Sequence, residues 1–184
     1  MRIVFLDVDG PLIPGRMYFR PNATYSARSK FYRYCPSIVD MVNWLTDATG
    51  SQVVFNSMHN TTGAEHMIAQ AKFNGLRNVR ADSPVTGFPQ PMGPADRIGA
   101  MMTYVAEHDV SRFVYFDDED LRSPIGGFQR VDFEDGITVN HIRWAVGWFT
   151  NEASLGFTTG MSSSLVGKER VQKRVGGKYG KRTA

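Results

Sequence analysis

Two places in the chain set carboxylates side by side directly after an apolar run. Asp7 and Asp9 follow Ile3-Val-Phe-Leu6, and Asp117-Asp118-Glu119-Asp120 follows Arg112-Phe-Val-Tyr-Phe116. Side chains of a strand alternate between faces, but where the chain turns at the strand's end Asp7 and Asp9 can converge on one metal-sized space. Close anions repel unless a cation joins them, and hard oxygen ligands favour Mg²⁺. Taken alone, Asp7-x-Asp9 is a short motif that also reads as a strand followed by an Asp9-Gly10 turn. A third apolar run, Gln52-Val-Val-Phe55, leads into Asn56-Ser57-Met58-His59-Asn60, whose amide and hydroxyl groups can donate hydrogen bonds to a phosphate at the start of a helix. Ser57 fits a strand-end turn as well, and His59 fits a surface or capping role. Arg97 carries a permanent charge in the first turn of a predicted helix, where it faces either a phosphate or solvent.

The elements that must position these groups alternate between strand and helix. The apolar runs of residues 3–6, 52–55 and 112–116 read as buried strands, with a short one around Val79 and a last one over Gln129–Phe133. A helix is predicted from Ser37, with Ile38, Met41, Val42 and Leu45 on its buried face, Ser37 and Asp40 as a capping box and Gly50 as its stop. A second is capped by Thr62-Gly-Ala-Glu65, with Ala64, Met67, Ile68 and Ala71 inward. A third starts at Pro94, presents Ile98, Met101, Met102 and Val105, and ends near His108. A fourth opens at Thr138 with Ile142, Ala145, Val146 and Phe149 on one face and Trp144 and Trp148 flanking it. Residues 74–94 are otherwise loop. In an open α/β sheet, ligands bind outside the carboxyl ends of the strands, where two acidic strand ends, an Asn/Ser strand end and a basic helix start would meet.

Composition sets the bounds. With 184 residues, 42% hydrophobic and 21% charged, the chain suits one globular domain with a sizeable core. No run is long and apolar enough to span a bilayer, and the start lacks the pattern of a secretory signal, so a cytoplasmic location without membrane contact is expected. The single Cys35 permits no internal disulfide and reads as a packing residue. The net charge of +3 is uneven: residues 168–184 hold seven Lys and Arg against one Glu, a net +6 that leaves −3 for the rest. This stretch reads as a disordered basic tail, within a tail assigned to 166–184, that either contacts nucleic acid through phosphates or solubilises the chain. Between Pro11 and Pro36, Arg16, Arg20, Arg28, Lys30 and Arg33 interleave with six aromatics and no acid. Aromatic faces stack bases while arginines take phosphates. The expectation is a flap over residues 11–36, with some aromatics in the core and Arg16 or Arg20 near a substrate.

Asp7-Val-Asp9-Gly10, Asn56-Ser57, Arg97 and Asp117-Asp118, each placed after a strand or at a helix start, together resemble the four motifs of the haloacid dehalogenase (HAD) superfamily of phosphohydrolases. The resemblance covers roughly residues 2–150. Asp118-Glu119 and the Gly136-Ile-Thr138 helix entry look most like the small HAD-like domains associated with nucleic-acid end repair. It implies a three-layer Rossmann-like α/β fold, a parallel sheet with helices on both faces, in a domain over residues 1–165 with a small flap and no full cap domain. It implies Asp7 as nucleophile forming an aspartyl-phosphate, and Asp9 as general acid and then base. Mg²⁺ would be held by Asp7, the Asp9 carbonyl, Asp117 and Asp118, while Ser57 or Asn56 donates to the phosphate. Arg97 stands where the family usually has lysine, a planar fork in place of a point charge, and Pro11 replaces the usual Thr or Val type of residue. The expected substrates are nucleotides or phosphorylated nucleic-acid ends. The alternatives are a small-metabolite phosphatase and an inactive HAD-like module that binds nucleic acid.

Overall fold

The computed structural model describes residues 1–19, 25–26, 31–57, 63–82, 93–121 and 127–150. The flap's Arg20, the Thr62 cap, His59 and the basic tail lie outside them. Strands β1 (Arg2–Leu6), β4 (Gln52–Phe55), β5 (Arg112–Asp117) and β6 (Gly127–Arg130) form one parallel sheet in the order β4-β1-β5-β6. Val79 extends its edge by a parallel bridge to Val53. From β1 the chain moves to β4 on one side, then crosses back to β5 on the other. The strand order therefore reverses at β1, which opens a crevice at the carboxyl ends.

After Arg2, β1 is apolar from Ile3 to Leu6 because both its faces are covered there. Val4 and Leu6 join Val53, Phe55, Val114 and Phe116 in one core, closed by Ile38, Val42 and Leu45 of α2 (Pro36–Thr49), Met67 and Ala71 of α3 (Ala64–Phe73), and Ile142, Ala145 and Phe149 of α5 (Val139–Thr150). Ile3 and Phe5 point the other way, with Val54, Phe113 and Tyr115, onto Met101 and Tyr104 of α4 (Pro94–Glu107). This is the Rossmann-like α/β architecture with helices on both faces. Among the described residues, no helix is long and apolar enough to cross a membrane.

Two local expectations are corrected. α2 starts one residue earlier than predicted, with Pro36 in its first turn and Cys35 as an N-cap whose side chain makes no capping bond; the Ser37–Asp40 box is not its cap. Proline's fixed φ and missing N–H suit that first position. α3 follows Gly63. β6 is shifted to Gly127–Arg130, away from Gln129–Phe133. A Cβ on Gly127 would lie 2.6 Å from the Trp144 ring, so the stacked indoles of Trp144 and Trp148 need glycine where they pack. Downstream, the Asp132 carboxylate accepts the Glu134 N–H at 2.8 Å and turns the chain.

Within residues 11–36 the described elements are a four-residue helix α1 (Gly15–Tyr18) and an antiparallel pair of two-residue strands, β2 (Tyr25–Ser26) and β3 (Phe31–Tyr32). Tyr34 is in the core, where its hydroxyl accepts from Gln70 at 2.8 Å. Cys35 packs half-buried against that core.

Candidate active site

Sheet register places the reactive groups level with one another. Leu6 pairs with Phe55 on one side and Phe116 on the other, so the next residues, Asp7, Asn56 and Asp117, emerge together at the sheet edge. The ladder runs one step further, with Asp7 N–H donating to Phe116 O at 3.2 Å and Asn56 N–H to Leu6 O at 3.0 Å. Gly10, at φ +76°, then turns the chain so closely under Asp118 that a Cβ would sit 2.8 Å from the Asp118 Cβ. Carboxylate oxygens of Asp7, Asp117 and Asp118 consequently all lie within 4.8 Å of one another.

Arg97 reaches this cluster from the first turns of α4. Pro94 starts that helix, and the Asp96 carboxylate accepts the Gly93 N–H at 2.9 Å. The Arg97 side chain is 3% exposed; its Nη2 bonds Asp117 Oδ2, donates to Asn56 O at 2.7 Å and lies 3.4 Å from Asp7 Oδ2. Nη1 pairs with Glu119 at 3.2 Å. The sequence offered a phosphate or solvent as its counterpart; the structure gives it the carboxylates. In the sequence Glu119 carries only the finer resemblance with Asp118; its distance from Arg97 reveals a part in the site.

Among the described residues the buried charges do not balance. Two buried carboxylates face one buried guanidinium there, and burial together with the Asp7 charge pushes the Asp117 carboxyl up to about 8 from an ordinary 3.8, against the pull of Arg97. Burial also raises the Asp7 carboxyl, although Arg97, a donated Ser57 hydrogen bond and the Val8 N–H at 2.7 Å favour its charged form. The Asp118 carboxyl is raised as well, chiefly by burial. An added cation would let all three ionise. Magnesium–oxygen distances of about 2.0–2.1 Å suit oxygens this close together, so the residues present fit a hard divalent ion.

Asp9 stands apart from that cluster. It is half-buried, and its Oδ1 accepts from the Tyr18 hydroxyl. Burial first, and then that carboxylate, raise the Tyr18 hydroxyl's own pKa, so Tyr18 remains the donor. Ser57 and Asn56 are both buried at the end of β4, and neither atom of the Asn56 amide has a partner among the described residues. Arg16 pairs with Asp135 at 3.1 Å and reaches Glu134 O at 3.4 Å, which fastens α1 to the 132–136 turn.

A family model described as the HAD domain in Swiss Army Knife RNA repair proteins matches residues 3–142. The chain belongs to this family. The match takes in β1 with Asp7 and Asp9, the Asn56-Ser57 strand end, Arg97 and Asp117-Asp118, so every segment that builds this HAD site lies inside it. No curated protein and no solved structure matches the chain.

Proposed function

We propose that this HAD domain is a Mg²⁺-dependent phosphomonoester hydrolase that works through an aspartyl-phosphate on Asp7 and acts on phosphorylated nucleic-acid ends or nucleotides. The observation that carries the reading is the meeting of the Asp7, Asp117 and Asp118 carboxylates within 4.8 Å at the switch point of a parallel sheet. The RNA-repair family supports the substrate class.

In this reading an Asp7 oxygen attacks phosphorus, and the bond to the leaving oxygen breaks as Asp9 protonates it. Water then attacks the phosphorus of the acyl phosphate, Asp9 takes its proton, and phosphate leaves with Asp7 restored. Asp7, Asp117, Asp118 and the Asp9 carbonyl would hold Mg²⁺. Bound there, the ion supplies Lewis-acid charge that offsets the repulsion between these carboxylates and the phosphate. Arg97 fixes Asp117 and Asp7 in place, and Ser57 or the Asn56 amide, which has no partner among the described residues, donates to the phosphoryl oxygens.

The test is phosphate release with Mg²⁺ from 3′- and 5′-phosphorylated oligonucleotides, nucleoside monophosphates and sugar phosphates, comparing wild type with Asp7→Asn. Release from oligonucleotide ends should fall by about 10⁴-fold in the variant, as when a nucleophile is removed. Release from sugar phosphates alone would keep the chemistry and remove the polymer. No release from any substrate would favour a module that only binds nucleic acid.

A further inference from the structure

Beside the carboxylate cluster the surface opens into a cavity of about 560 Å³, lined by Asp118, Arg130, Val131, Asp132, Phe133 and Glu134. Asp118 belongs both to this cavity and to the cluster, so the cavity adjoins the reacting centre. Phe133, 41% exposed, carries its ring nearly parallel to that of Tyr18, with an interplanar angle of 11° and centroids 6.2 Å apart. Tyr18 is 43% exposed, and its hydroxyl is bound to Asp9. A pair of open aromatic rings thus stands one hydrogen bond from the proposed general acid.

The pair is held in position. Gly15 N–H donates to Phe133 O at 2.7 Å, and a Cβ on Gly15 would come within 2.7 Å of the Phe133 ring. The Arg16–Asp135 ion pair ties the same helix to the same turn. Scattered exposed apolar residues are ordinary on a protein surface, but a stacked pair clamped from both chain segments presents a fixed face at little entropic cost to a ligand.

We infer that Tyr18 and Phe133 form a stacking platform for the base of the nucleotide that carries the phosphate, with its sugar seated in the adjoining cavity; the inference rests on the phosphohydrolase reading above. The cavity lies within the range of about 300–1,000 Å³ common for small-ligand sites. Its charge favours a nucleoside over a polyanion. Asp118, Asp132 and Glu134 repel additional phosphates and accept from sugar hydroxyls, while Arg130, its Nε donating to Asp118 O at 2.9 Å, is the one cation among the described lining residues. Stacking tolerates any base, so the platform selects a nucleotide end without reading sequence.

The experiment compares oligonucleotides bearing a 3′- or 5′-phosphate with counterparts whose phosphate-bearing residue lacks its base, using the full chain. Wild type should favour the base-bearing end by about tenfold in kcat/KM, the scale of one stacked base. Phe133→Ala should reduce that ratio to near one, and Phe133→Tyr should restore it. Equal turnover of both ends by wild type, or an unchanged ratio in Phe133→Ala, would overturn the platform while leaving the phosphohydrolase intact. Affinities for the same two ends, measured with Asp7→Asn, read the platform without turnover. If wild type releases no phosphate, the reaction is wrong, and the platform stands or falls on whether those affinities differ.

Discussion

Asp117 and Asp9 are both assigned to the proposed site, yet Asp117 is 1% exposed and locked to a buried guanidinium, whereas Asp9 is half-buried and steadied by a tyrosine hydroxyl on the flap. The floor of the site is set by the sheet. Its carboxylates come from strand ends fixed by register, and Asp7 and Asp117 must be compensated because burial withholds them from bulk solvent. The rim comes from α1 and the 132–136 turn, where the groups are partly solvated and a lost contact is replaced by water. Changes to the floor should therefore cost stability and turnover together, and changes to the rim should alter selectivity or proton transfer in a chain that stays folded.

The largest separation is expected from Arg97→Met. It leaves Asp117 and Asp7 buried without their cation, a loss of about 3–5 kcal/mol by the usual cost of breaking a buried pair. Urea unfolding in the presence of a chelator measures it. Arg97→Lys, which keeps the charge but cannot bridge Asp117, Asn56 O and Glu119 as a fork, should fall between. A loss below about 1 kcal/mol for Arg97→Met would mean that protonation alone quiets the floor, and the contrast with the rim would disappear.

Acidity gives the next test. The folded Asp117 carboxyl, raised to about 8, keeps its proton between that value and the ordinary 3.8, a window in which the unfolded chain has lost it. The folded state then binds more protons, so the stability of the metal-free protein should fall as pH rises through that window. Magnesium requires the ionised form. The rise in Tm on adding Mg²⁺ should accordingly be larger near about pH 8 than near about pH 5.5. Thermal melts with and without the ion check this, and a metal-free profile that is flat with pH would show that Asp117 is ionised throughout.

How far the sequence reveals the molecule follows the same division. Period and apolar runs locate β1, β4, β5 and the four longer helices, because burial on both faces of a parallel sheet leaves a continuous apolar signature. Acidic strand ends then disclose Asp7, Asp117 and Asp118. Arg97 is visible as a charge in a first turn, but its partners depend on which strands are neighbours, which no local pattern states. Rim contacts are less legible still. Tyr18 and Phe133 lie 115 positions apart, and Phe133 reads as the end of a strand until Gly127 and the Asp132 turn are seen to shift β6. The pairing of Arg16 with Asp135, 119 positions away, is likewise absent from any local pattern.

The smallest effect sharpens the comparison most, because it separates chemistry from packing on the rim itself. Tyr18→Phe keeps the ring against Phe133 and removes only the hydroxyl that donates to Asp9. A single hydrogen bond contributes about 1 kcal/mol, so a loss of about fivefold is expected where Asp9 must protonate the leaving group. An oligonucleotide end leaves as an alkoxide and needs that proton, whereas p-nitrophenolate leaves without it. Tyr18→Phe should then slow release from oligonucleotide ends and scarcely alter release from p-nitrophenyl phosphate, with the preference for a base-bearing end retained. Equal losses on both substrates would make the hydroxyl a structural tether of α1. A loss confined to the poor leaving group would make Tyr18 a positioning residue for Asp9, and would show that the flap supplying one ring of the proposed base platform also sets the geometry of proton transfer.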